Sequence, residues 1–286
     1  MPCPLYSTML ILHMESYFVK NCNISWPTPR LLLLRLLTVA DGKTLTAAEA
    51  VRAGALFDMT ENSVRVTMAR LTQAGLVEAV DAAIYRLGAK GQKLGADVAA
   101  WSTVDQRVTE WDSTWIAVTT GGLARSDRKM LRARARALSL LGFRELDTGL
   151  YLRPNNLSGG VDTVRARLLD LGLGEEAAVF KASVFDSVRQ EKALSLWSDM
   201  QLEASYKEIS QRLNDWLATK DKLPREAALR DVYLLGDAGI RSVIFDPLLP
   251  APLVNETERQ QFFATVRRFN NEGRRLWYAF FKESNL

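Results

Sequence analysis

An α+β fold is predicted for this chain on three observations. Near the N-terminus, short apolar stripes at helical spacing, stopped by glycine, run into two brief alternating segments. A middle stretch alternates strand-like and helix-like patterns in the order β-α-β-β-α-β. The C-terminal third reads almost wholly as amphipathic helix. At 286 residues there is room for roughly two or three cores. The composition, 48% hydrophobic and 24% charged, is that of a soluble globular chain rather than a disordered one.

The first pattern begins after a poorly defined leader, residues 1–28, in which Met9 or Met14 would serve equally as a start. "PRLLLLRLLTVADG" opens with Pro29 at a favourable first helical position and stops at Gly42. It carries Arg35 and is far shorter than the ~20 apolar residues of a membrane span, so no membrane partner is expected. "TAAEAVRAGALF" is a second helix capped by Thr46, with Glu49 at capping-box spacing. A third starts at the N-cap Thr60, buries Val64, Met68 and Leu71, and ends at Gly75. "LVEAV" and "AIYRL" follow as strands about a turn at Asp81 and Ala82.

Three helices and a hairpin over residues 29–91 make a winged helix-turn-helix. Its third helix leaves Asn62, Ser63, Arg65, Val66 and Arg70 off the buried stripe, the side-chain types that meet base edges and phosphates in a major groove. Lys43 and Arg86 would add phosphate contacts that fix register. The same elements could equally serve as a protein-docking module that binds no operator. Charge decides little, since Trp26 to Lys90 holds eight Lys/Arg against six Asp/Glu.

A linker helix, 92–110, leads to the central pattern, 111–184. Trp115 to Thr119 is a buried strand, and Ser126 to Leu141 a helix with Ser126 as cap. "FRELDTGLYLRP" gives two strands turning at Asp147–Gly149, and a helix capped by Ser158 and the strand "EEAAVFKAS" complete a ferredoxin-like plan. Residues 185–286 form an all-α C-terminal domain. It contains one long helix over "QEKALSLWSDMQLEASYKEISQRLNDWLATKD", then a second, a proline break at "DPLLPAPLV", and a last helix.

Enzyme chemistry finds little support. The only histidine, His13, lies in the leader, so no histidine-based triad or metal site is expected. No phosphate-binding or dinucleotide glycine signature is present. "SDRK" at Ser126–Lys129 reads as a helix start, because the companion motifs of S-x-x-K enzymes are missing. Cys3 and Cys22 make no disulfide framework, which fits a reducing cytoplasm. The expectation is a cytoplasmic protein that is not an enzyme, with no metal and no cofactor.

"SVRVTMARLTQAGLV" followed by "YRLGAKG", then "WDSTWIAV", "LGFRELDTGLYLRP", "LWSDMQLEASY" and "DPLLPAPLV", taken in that order, resemble the PaaX family of bacterial transcriptional regulators. The likeness runs from about Pro29 to the C-terminus. It implies a homodimeric repressor of an aromatic-acid (phenylacetate-type) catabolic operon, bound to a double-stranded operator that is an imperfect inverted repeat. It also implies release by an aryl-CoA thioester, phenylacetyl-CoA or a related acyl-CoA. The turn "VDAA" lacks the basic or glycine-rich tip of a DNA-touching wing, and "WIAVTT" lacks the aspartate of the nuclease-like CRISPR subunit that shares the central fold.

For such an effector, arginine forks would meet phosphates. Arg125, Arg128, Arg132 and Arg136 fall on one helical stripe with Lys129 beside them, a pattern that also fits a solvated face. Arg134 projects from the apolar side and must snorkel, pair with an acid such as Glu145, or serve a ligand. Arg165 and Arg167 are weaker candidates. Trp197 and Tyr206 are candidates for an aromatic acyl pocket, although core packing explains such residues as well.

Overall fold

The computed structural model describes residues 26–39, 44–92, 100–122 and 127–283. The fold is α+β, with two antiparallel sheets and extensive helix, gathered into two compact units. Among the described residues, an N-terminal unit takes 26–102, 209–241 and 263–283, and a central unit takes 103–208 and 242–262. The helical stretch expected as a separate C-terminal domain is thus divided between the two.

The N-terminal unit starts with α1, Pro29–Val39, in which Leu32, Leu33, Leu34, Leu36 and Leu37 are buried. Strand β1, Thr44–Thr46, ends at the cap of α2, Ala47–Ala55. The capping box forms as expected: the Thr46 amide donates to Glu49 Oε2 at 2.7 Å and the Glu49 amide to Thr46 Oγ1 at 3.1 Å. Helix α3, Glu61–Gln73, is capped by Thr60 and buries Val64, Met68 and Leu71. Gly75, at φ +70, reverses the chain into β2, Val77–Asp81, which returns as β3, Ile84–Leu87. The turn lies one residue later than expected, at Ala82–Ala83, because a bulge between Ala79 and Asp81 shifts the register. β1 was not expected. It pairs with β3 to make the order β1-β3-β2.

Of the expected linker helix, residues 93–99 lie outside the described set. The described part is a 3-10 helix, Ala100–Arg107, kinked at Thr103.

In the central unit, β4, Trp115–Thr119, pairs antiparallel with β6, Leu150–Pro154, and with β7, Ala178–Ala182. β5, Arg144–Asp147, lies outside β6, so the four strands run second, third, first, fourth across the sheet. Helices α4, Arg128–Leu140, and α5, Gly160–Asp170, send Ala137, Leu138, Val164 and Leu168 into one core with Ile116, Val118 and Val179. Both helices therefore cover the same sheet face. Their caps differ from expectation. Asp127 caps α4, accepting from the amides of Lys129 and Met130, and the expected cap Ser126 lies outside the described residues. α5 starts after Gly159 in a left-handed conformation instead of at Ser158, and a Cβ there would meet Thr163 Oγ1 at 2.0 Å.

The long helix expected to follow is broken. α6, Ser187–Ser195, ends before a 3-10 turn at Ser198–Met200, and Gln201 at φ +47 restarts the chain as α7, Leu202–Thr219. The break turns Trp197 inward, where it stacks on Trp115 at 6.0 Å and donates Nε1–H to the Gly142 carbonyl at 3.1 Å. α8, Arg225–Ile244, and α9, Glu256–Lys282, complete the chain.

Between them the proline break is packed inward rather than looped out, since Asp246, Pro247, Leu248, Leu249 and Pro250 are all buried. A buried irregular segment needs partners for its polar backbone. Asn156 Nδ2 donates to the Leu248 carbonyl at 2.7 Å, Arg259 to that of Leu249, and Arg153 Nη2 reaches that of Pro247 at 3.5 Å. Arg153, 2% exposed, also donates to the carbonyls of Pro154 (3.1 Å) and Leu141 and to Asn156 Oδ1 (3.1 Å). Burial lowers its pKa to about 9, so it keeps its proton at neutral pH. Asp246 accepts from the Tyr206 hydroxyl at 2.5 Å and from the Leu248 amide at 2.8 Å.

Two outcomes are expected. Arg153→Met fills the volume but leaves these carbonyls and Asn156 without donors, costing about 3 kcal/mol, read as a lower urea midpoint. Burial raises the Asp246 carboxyl above its ordinary value, against the Tyr206 and Leu248 hydrogen bonds and the Arg259 charge. A raised carboxyl favours folding at low pH and loses that contribution as pH climbs through the shifted value. Asp246→Asn cannot ionise, so its melting temperature relative to the parent should rise as pH climbs above about 4, where an unfolded carboxyl ionises.

Candidate nucleic-acid interface

The α2–turn–α3 corner is set by a close approach. Gly54 lies inside α2, and a Cβ there would sit 2.6 Å from Val64 Cγ2 on α3. The turn passes through Asp58 at φ +55, a left-handed position that aspartate tolerates better than most residues. Thr60 then starts α3 with its hydroxyl accepting from the Ser63 amide at 3.2 Å.

With Val64, Met68 and Leu71 turned in, the outer face of α3 presents Asn62, Arg65, Val66 and Arg70, all exposed, with Ser63 half-buried. Arg65 donates Nε–H to Glu61 one turn back at 2.7 Å, but both side chains are more than half exposed (58% and 60%). Such a pair is weak in water and is readily exchanged for a phosphate. Arg70 makes no ion pair among the described residues. Arg86 is held by Glu78 across β2–β3 at 2.5 Å, which directs it along the hairpin. Lys43 lies outside the described residues. Lys90, not singled out in the sequence, reaches the Ala74 carbonyl at the end of α3 at 3.5 Å. Its signal was the position of the helix stop, whose carbonyls attract cations.

What holds this face outward is the use of the opposite side. Arg35 of α1 pairs with Asp237 of α8, which also takes Arg241 at 2.6 Å. Arg52 of α2 lies 4.5 Å over the Phe280 ring of α9 and donates to its carbonyl. Trp26, Phe57 and Tyr233 form a chain of edge contacts at 5.7 and 5.1 Å. α1 and α2 thus anchor the unit on α8 and α9 and leave α3 out of the docking.

The residues considered for an anionic effector are spread rather than gathered. On α4, Arg128, Arg132 and Lys129 are exposed, Arg136 is half-buried, and Arg125 lies outside the described residues. Arg134 is buried, at 7% exposure. Its charge acts on the Tyr151 hydroxyl, which hydrogen-bonds Glu145; burial, then Glu145, pushes that hydroxyl's pKa up while Arg134 opposes. Arg134 and the expected partner Glu145 therefore act with opposite sign on one tyrosine. Arg165 is held by Asp162 (2.5 Å) and the Val179 carbonyl (2.6 Å), and Arg167 is exposed. Trp197 and Tyr206 are taken up by packing, the latter stacked on Phe262 at 5.1 Å. Among the described residues there is no group of three or more His, Cys, Asp or Glu able to hold a metal ion, and no helix long and apolar enough to cross a membrane.

No protein-family model matches the chain, and no curated protein does. Among solved structures it is similar to the uncharacterized protein Rv0674 from Mycobacterium tuberculosis, with a TM-score of 0.64 and 20% identity. The match covers 89% of this chain and 99% of that one. The likeness is one of fold.

Proposed function

We propose that this protein is a ligand-responsive, DNA-binding transcriptional regulator. On this reading α1–α3 and the β1-β3-β2 sheet are a winged helix-turn-helix with α3 as its reader. The four-stranded sheet with two helices on one face is ferredoxin-like, since its strand order is that plan's. The observation that carries the reading is the exposed outer face of α3, with Asn62, Arg65, Val66 and Arg70 presented while α1 and α2 do the docking. The protein acts as a cytoplasmic homodimer on an imperfect inverted repeat, each copy supplying one reader helix.

The effector class follows from the resemblance to PaaX regulators: an aryl-CoA thioester whose binding releases the operator that the unliganded protein holds. The exposed cations Arg128, Lys129 and Arg132 are of the right kind for its phosphates. Release requires only that the ligand prefer the conformation that does not fit the operator. A protein-docking module is the second reading, favoured by the exposed apolar side chains of Val66 on α3 (40%) and Val80 on β2 (43%).

The test is duplex binding after selection of a preferred site from a random library. Arg70→Ala is expected to weaken the selected site by about 1–3 kcal/mol, or roughly five- to 150-fold, with an unchanged melting curve. Phenylacetyl-CoA titrated into the complex is expected to release the duplex. Absence of any salt-sensitive duplex binding would favour the docking module instead.

A further inference from the structure

The last helix of the N-terminal unit carries a second basic surface. Along α9 the side chains of Phe263, Val266, Phe269, Trp277 and Phe280 are buried at three- and four-residue spacings, with Gly273 completing the stripe. The face turned away from them shows Arg268, Asn271, Arg274, Arg275 and Tyr278, all exposed. Lys282 extends it by lying 4.6 Å over the Tyr278 ring.

Elsewhere in this unit several cations of the long helices are matched by acids. Arg241 meets Asp237 at 2.6 Å, Arg225 meets Glu283, and Lys220 meets Glu272 at 3.1 Å. On the α9 face such compensation is slight. Arg268 donates to the neutral Asn214 side chain at 2.5 Å, and Arg274 has no ion pair among the described residues. Arg275 shares Glu272 with Lys220 at a long 3.4 Å while remaining 81% exposed, so its charge is barely compensated. From Phe263 to Glu283 there are five Arg/Lys and two Glu, and both glutamates are engaged as described.

We propose that this stripe is a second backbone-contacting surface for duplex DNA, separate from the outer face of α3; the proposal rests on the regulator reading above. Exposed arginine forks flanked by an amide and a phenol are the groups that hold phosphates without reading bases. The span from Arg268 to Lys282 is about 21 Å at 1.5 Å per residue. A duplex offers about one negative charge per 1.7 Å of axis, so an extended polyanion matches the whole stripe, where a small phosphate ligand would meet one arginine on a convex face. α9 is also tied to the helix-turn-helix: its Phe280 holds Arg52 of α2, and α2 meets α3 at Gly54.

The experiment compares the parent, Arg274→Gln/Arg275→Gln, Arg274→Lys/Arg275→Lys and Arg70→Ala on a random-sequence 40-base-pair duplex, about 40 base pairs being several protein footprints. Affinity is read by fluorescence anisotropy between about 50 and about 200 mM salt. The double glutamine variant is expected to bind roughly tenfold more weakly and to lower the slope of log affinity against log salt by about 1.8, the value for two lost phosphate contacts. The double lysine variant should recover most of both. Binding by the parent that is lost in Arg70→Ala but unchanged in affinity and slope in the glutamine variant would overturn the stripe and leave the regulator reading standing. No duplex binding by the parent would overturn both.

Discussion

A guanidinium buried without a carboxylate organises the central unit. Arg153 leaves the sheet at the β6 position opposite Ile116, and its donors reach the end of α4, its own strand's last residue, Asn156 and the Asp246–Leu249 segment. Transferring a cation out of water is costly, and carbonyl dipoles repay it only when several converge. Convergence here requires that a segment remote in sequence be folded inward with its carbonyls facing Arg153, Asn156 and Arg259. Prolines at 247 and 250 suit that segment, since they bring no amide protons that would need burial partners of their own.

The N-terminal unit answers a different constraint, which is to present one helix while burying its neighbours. Apolar stripes on α1 and α3 provide the core, and the arginines of α1 and α2 provide attachment to α8 and α9. α3 contributes none of those attachments. Its orientation relative to α2 is fixed by an absence, the missing Cβ of Gly54 that lets Val64 approach. The division of labour gives the outer face of α3 a rigid base without spending any of its polar side chains.

Features resting on local chemistry were legible in the sequence. The Thr46–Glu49 capping box, the Thr60 cap and the Val64–Met68–Leu71 stripe all depend on neighbours within a few residues, and the four central strands show as local runs of apolar residues. Those depending on distant partners were not. β1 is three residues long and is a strand only because β3 lies beside it. The break at Gln201 follows from where Trp197 must stack, and Arg153 sits in a strand whose alternation says nothing of acceptors 94 positions away. Cap choice within polar runs was also beyond pattern reading: Asp127 serves α4, and Gly159 precedes α5 in place of Ser158. Of the candidate interface, the α3 residues follow from periodicity alone, whereas the α9 stripe required knowing which faces were already covered.

The contact between Arg52 and Phe280 joins positions 228 apart in the chain, and Arg225 reaches Glu283 just beyond it. The final turns of α9 are therefore part of the platform under α2 rather than a dispensable tail. A premature stop codon removing only those turns would strip α2 of its cation–π seat and leave Trp277 without Phe280. Damage at one end of the gene would then be felt as looseness at the other.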